Sequence, residues 1–163
     1  MAFDAYLDMG KDIAGESTRK GFEGKMEIYS FSFGVSNPAT IGPGSEGAGG
    51  GRATLSSFNC MKATDKASPM LFQACASGKH FPKVTVSLNK AGGESVTYLV
   101  YEFENCFLES VQWSGSTGGD DRPMESLSIA YGKLTITYNA QAMTGAKDAK
   151  AVIGSWDVQA VST

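Results

Sequence analysis

The chain has 163 residues, 42% of them hydrophobic and 19% charged, with a net charge of −3. That length fits one domain (residues 1–163) able to bury a core without a metal or disulfide. The acidic balance, with Arg19-Lys20 the one adjacent basic pair, speaks against a nucleic-acid surface. No apolar run reaches the ~18–20 residues that span a bilayer, so membrane insertion is not expected. The start "MAFDAYLDMGKD" lacks the basic region and continuous apolar core of a secretory signal. Cys60, Cys75 and Cys106 are odd in number and widely spaced, which reads as reduced thiols in a chain made in the cytoplasm.

In chain order, "AFDAYLDM" alternates Phe3, Ala5, Leu7 and Met9 against Asp4, Tyr6 and Asp8, the pattern of a half-buried strand. "GKMEIYSFSFGVS" places Met26, Ile28, Ser30 and Ser32 on one face and Tyr29, Phe31, Phe33 and Val35 on a core-like face. Residues 37–51, "NPATIGPGSEGAGGG", form a long loop, mobile or held by something outside the monomer. "RATLSSFNCM" returns to extended structure.

"DKASPMLFQACASGKH" contains the expected helix, about residues 68–77. Ser68 is expected to cap it, Pro69 suits its first turn, Gly78 stops it and Lys79 complements its dipole. Met70, Leu71, Phe72, Ala74, Cys75 and Ala76 cover roughly 240° of the helix, far more than docking on one sheet requires. The helix is therefore expected to be a plug buried on several sides, with Met70, Leu71, Phe72 and Cys75 at a subunit interface.

"KVTVSLNK", the turn "AGGE" and "SVTYLVYEFEN" form a hairpin with Val84, Val86 and Leu88 inward. "CFLESVQW" and "ESLSIAYGKLTITYN" flank the loop "SGSTGGDDRP"; "AQAMTGAKDAKA" reads as a polar connector and "SWDVQAV" as a last short strand. The fold class is mainly β: two antiparallel sheets closing into a barrel or sandwich, with one short helix.

Catalytic patterns are weak. Cys75 and the single histidine, His80, are close in sequence, but Gly78 ends the helix between them and the apolar arc disfavours a thiolate. Gly42–Gly47 matches G-x-G-x-x-G without the strand-to-helix context a dinucleotide needs. Glu102 with Glu104, and Asp120 with Asp121, are acidic pairs of the kind found on solvated strands and turns. No His/Cys/Asp cluster has metal-ligand spacing, and no cofactor is expected. An over-apolar helix, a long loop and many strand edges favour self-association; the alternative is a monomeric barrel binding a small ligand or carbohydrate.

The segments "GESTRKGFEGKMEIYSFSFGVS", "DKASPMLFQACASGKHFPKVTVSLNKAGGE", "LESVQWSGSTGGDDRPMESLSIAYGKLTITY" and "TGAKD…GSWDVQ" resemble, in order and over nearly the whole chain, the Hcp (haemolysin co-regulated protein) family of type VI secretion tube proteins. The resemblance implies a non-enzymatic subunit that forms hexameric rings, which stack into a tube. The tube is assembled in the bacterial cytoplasm, propelled by a sheath, tipped by a spike, and released without a signal peptide, with effector proteins in its lumen. It further implies that Ser30 and Ser32 line the lumen, and that residues 37–52 reach the adjacent ring, with Asn37, Thr40, Ile41, Ser45, Glu46 and Arg52 as contact candidates. The chain is expected to lack the C-terminal toxin domain of some relatives.

Overall fold

Alternating burial along short antiparallel strands builds this molecule around a seam of phenylalanines. The computed structural model describes residues 2–40, 42, 49–92, 96–119, 121–141 and 147–163. The strands are β1 (Phe3–Asp8), β2 (Met26–Ile28), β3 (Ser30–Ser32), β4 (Val35–Ser36), β5 (Ala39–Thr40), β6 (Gly49–Gly50), β7 (Thr54–Leu55) and β8 (Phe58–Ala63). The helix α1 (Ser68–Ser77) follows, then β9 (His80–Lys90), β10 (Thr97–Ser114), β11 (Met124–Ala130), β12 (Lys133–Gln141) and β13 (Lys147–Asp157).

The main sheet runs β2-β1-β9-β10-β11-β8-β3, and β12 pairs with β10 and with β13. β10 organises it. Up to Glu104 it pairs with β12, and from Phe107 onward with β11. Asn105, at φ 57°, makes the turn-off between those partners, and its side-chain oxygen meets His80 Nε2 at 2.6 Å. Asparagine tolerates this left-handed conformation better than other side chains. The long strand thus crosses from one layer to the other, giving a sandwich-like fold rather than a closed barrel.

Between the layers, Phe58 and Phe103 are fully buried with ring centroids 5.0 Å apart, and Phe33 and Tyr101 flank them. Leu7, Val84, Val86, Leu88, Leu127 and Ile129 complete this core. The inward face of β9 is the one its alternation predicts.

Several expectations change. "GKMEIYSFSFGVS" has no single core face: Met26 and Ile28 are buried, Tyr29 is 59% exposed, and Phe31 and Phe33 pack inward. The cause is a bend at Tyr29, where pairing passes from β1 to β8 and the inward parity flips. Tyr6 is buried too, because Phe22 stacks on it at 4.6 Å. "SVTYLVYEFEN" and "CFLESVQW" form one strand, and the tail read as a connector contributes to β13, which starts at Lys147.

The helix has its expected bounds, but Ser68 does not cap it. Ala67 holds the N-cap position in a helical conformation, and the Ser68 hydroxyl accepts instead from the Asp65 backbone N–H at 3.0 Å. At the other end Gly78 adopts φ 66°, with the N–H groups of Gly78 and Lys79 bonding the carbonyls of Cys75 and Ala74, a Schellman closure. The Lys79 ammonium turns to Asp12 at 2.9 Å. Only the stripe Ser68, Leu71, Ala74 is buried. Met70 and Phe72 are 42% and 59% exposed and Cys75 is half-buried, so within one chain the helix is docked by one face and is not a plug.

Candidate assembly surfaces

The long glycine-rich loop is a projecting hairpin at its described residues. Val35 pairs with Leu55, Ser36 with Thr54, Ala39 with Gly50 and Thr40 with Gly49. Its base is latched by the Ser56 N–H donating to the Gly34 carbonyl at 2.9 Å and the Gly34 N–H donating to Ser56 Oγ at 2.8 Å. Midway, the Gly51 N–H donates to the Pro38 carbonyl at 2.8 Å, and a Cβ at Gly51 would lie 2.4 Å from that oxygen. Only glycine permits this approach. These rungs form separate two-stranded sheets, joined to no strand of the body. Residues 35–39, with Arg52 and Thr54, are exposed, Val35 at 68%. Of the candidates here, Asn37 and Arg52 lie on this arm, and the backbone of Thr40 is in it; Ile41, Ser45 and Glu46 lie outside the described residues.

A second surface spans four strands. Cross-strand partners share a face, so the register sets Ser30, Met61, Ser126 and Gln112 in one row and Ser32, Asn59, Ser128 and Ser110 in the next. Ser30 and Ser32 are both exposed, as is most of this face, and neither row holds a charged side chain. Beside the rows, Glu109 accepts hydroxyl hydrogens from Ser57 at 2.9 Å and Ser128 at 3.0 Å. Only Ser30 and Ser32 are singled out in the sequence. The others follow from strand pairing, with the alternation of Ser126 and Ser128 as the one local signal.

On the third surface, Phe72 of α1 stands beside Trp113 of β10 with centroids 6.1 Å apart. Beneath it lies a buried charge cluster that sequence reasoning misses. Lys62 and Glu125 are cross-strand partners, both fully buried and bonded at 2.8 Å. Lys62 also donates to Asp65 at 2.9 Å and to the Ala63 carbonyl at 3.0 Å, while Trp113 Nε1 donates to Glu125 at 2.8 Å. Burial pushes the Glu125 carboxyl up, but hydrogen bonds from Lys62, Ser68 and Trp113 and the Lys62 charge outweigh it and hold the carboxyl below its ordinary range. The available signal is parity: Lys62 shares a face with Phe58 and Cys60, and Glu125 with Leu127 and Ile129.

The catalytic candidates do not converge. His80 is exposed and engaged with Asn105, while Cys75 sits half-buried on α1. Glu102 pairs with Lys83 at 3.1 Å and Glu104 with Lys133 at 3.8 Å, as charged neighbours on a solvated face do. Most of Gly42–Gly47, and Asp120, lie outside the described residues. Among the described residues no three His, Cys, Asp or Glu side chains are grouped to hold a metal, and no helix is long and apolar enough to cross a membrane.

The family model for "Type VI secretion system effector, Hcp" matches residues 6–138. The chain belongs to the Hcp family. It is 33% identical over 160 residues to the protein hcp1 of Pseudomonas aeruginosa, an alignment covering 98% of this chain and 97% of that one. Among solved structures, a type six secretion system protein superposes with a TM-score of 0.92 at 31% identity, covering 98% of each chain. Hcp1 from Salmonella typhimurium superposes with a TM-score of 0.80 at 26% identity, covering 99% of each. The Hcp family comprises secreted type VI secretion proteins and is not an enzyme family.

Proposed function

We propose that this Hcp-family chain is a structural subunit of the type VI secretion inner tube. Six copies form a ring, rings stack, and the exported tube carries effector proteins inside a contracting sheath and behind a spike. The observation that carries this reading is the arm, whose described strands pair with each other and with no strand of the body. Such an element gains its packing from another molecule. The rows through Ser30 and Ser32 suit a lumen wall, polar enough to stay wetted and uncharged within the rows, with Glu109 at their margin held by Ser57 and Ser128. Phe72 and Trp113 supply an exposed aromatic pair for the lateral contact between neighbours in a ring, with exposed Met70 and half-buried Cys75 elsewhere on the same helix and Leu71 anchoring it from below.

Native mass and negative-stain microscopy test the reading together. Annular particles with sixfold symmetry, lengthening into tubes at high concentration, are the expected result. Shortening residues 44–51 is expected to leave the rings and suppress the tubes. A chain that stays monomeric at every concentration rules the tube out, and the polar, open concavities of the surface would then be assayed for small ligands.

A further inference from the structure

We propose that the arm of one copy seats in the concave, carboxylate-lined end of the next copy, around Arg122. This rests on the tube reading and names the receiving surface that reading leaves open.

The topology places donor and acceptor at opposite ends of one chain. β8 starts at Phe58, two residues after the arm's latch at Ser56, and ends at Ala63, which pairs with Met124. Six residues at ~3.3 Å each set the arm's base and the turn before Met124 on the order of 20 Å apart. At that far end three concavities share Arg122. One of about 850 Å³ is formed by the turn from Ser114 to Met124. A second, of about 290 Å³, adds Tyr29 and Ala63, and a third, of about 150 Å³, adds Glu16 and Glu27.

The seat's carboxylates offer counter-charges to Arg52, one of the arm's two charged residues with Glu46. Glu16, Glu27 and Asp121 line this end, and Arg122 reaches Glu16 and the Thr64 carbonyl, each at 3.4 Å. Glu27 and Asp121 have no ion-pair partner among the described residues. Among the arm's described residues the charge is Arg52, exposed and likewise without an ion partner there. Exposed Tyr29 offers an apolar floor for Val35 and Pro38. A contact between different patches at opposite ends repeats along an axis without closing, which is the symmetry a stacked tube needs.

Charge reversal tests this with full-length chains, scored as the fraction of rings found in stacks. Arg52→Glu is expected to lower that fraction at least tenfold while six-copy rings persist. Combining it with Glu27→Lys and Asp121→Lys is expected to restore stacking. Rings of Arg52→Glu that stack like wild type, or a swap that restores nothing, overturn the seat and leave the tube reading standing. Wild-type chain that never forms stacked rings overturns both. If the receiving-end variants fail to fold, the response of Arg52→Glu to added salt decides: a defect that high salt abolishes is electrostatic and supports the seat, and one that salt leaves unchanged overturns it.

Discussion

Lys62 spends all three ammonium hydrogens on the Ala63 carbonyl, Asp65 and Glu125, so a cation with no solvent exposure is fully satisfied. Removing the Glu125 charge leaves the buried Lys62 cation with Asp65 as its remaining counter-charge. Glu125→Gln is expected to cost ~3–5 kcal/mol by urea unfolding, whereas the double change Lys62→Met, Glu125→Leu costs markedly less. Because the folded state holds the Glu125 carboxyl below its ordinary range, this stabilisation is complete above the unfolded value of about 4.3. It is lost as pH falls through the lower folded value. Wild-type stability should therefore fall on the acid side, and Glu125→Gln should flatten that fall; equal acid slopes in the two proteins refute the assignment. The thiols divide in the same way. Burial pushes Cys60 up to about 12 against the pull of the Lys62 charge, and burial pushes Cys106 to about 12 as well. In the native protein a thiol reagent is expected to modify Cys75 first, with mass mapping as the check.

Among the elements, α1 was legible to the residue because its boundaries are written locally, by Pro69 at the start and Gly78 at the end. Gly78→Ala should cost about 1 kcal/mol, read as a shift in the urea midpoint at unchanged slope. What Ser68 does was not legible, since its hydroxyl answers to Asp65 and to Glu125 on a distant strand. The same limit hides β10. Its two halves each show strand character, but only the tertiary choice between β12 and β11 reveals that Asn105 bends a single strand. Asn105→Gly should be nearly neutral, and Asn105→Val should destabilise by ~1–2 kcal/mol. Ser30 and Ser32 could be read as one side of a strand, yet the wall they belong to exists only through β8, β11 and β10. In the arm, composition announced a loop, and the two-stranded form rests on pairings that glycine-rich sequence does not advertise.

For the molecule as a whole, the antiparallel class and most of the core were visible as alternation, because a layered β fold imposes period two on every strand it buries. Which apolar residues face a partner was not, since burial in the chain and burial in an assembly look alike in sequence. Leu71, buried in the chain, and Phe72, exposed on it, allow the two to be tested apart. Leu71→Asp places a charge at a fully buried site and should cost more than 4 kcal/mol, enough to unfold the chain. Phe72→Asp alters a side chain 59% exposed and should leave circular dichroism unchanged while lowering the native mass from ring to monomer. A ring that survives Phe72→Asp removes α1 from the lateral contact.

If the arm seats as proposed, the opposed ends of β8 also give the stack a direction. One tip would then present free arms and the other empty seats, so the two tips of a filament would be chemically different surfaces. Growth from each tip then has its own rate, and a starter that displays only a seat would set the polarity of everything added afterwards. A terminator needs to mimic one tip alone. A short peptide carrying the arm's sequence would therefore poison elongation at a single end, leaving the other to lengthen.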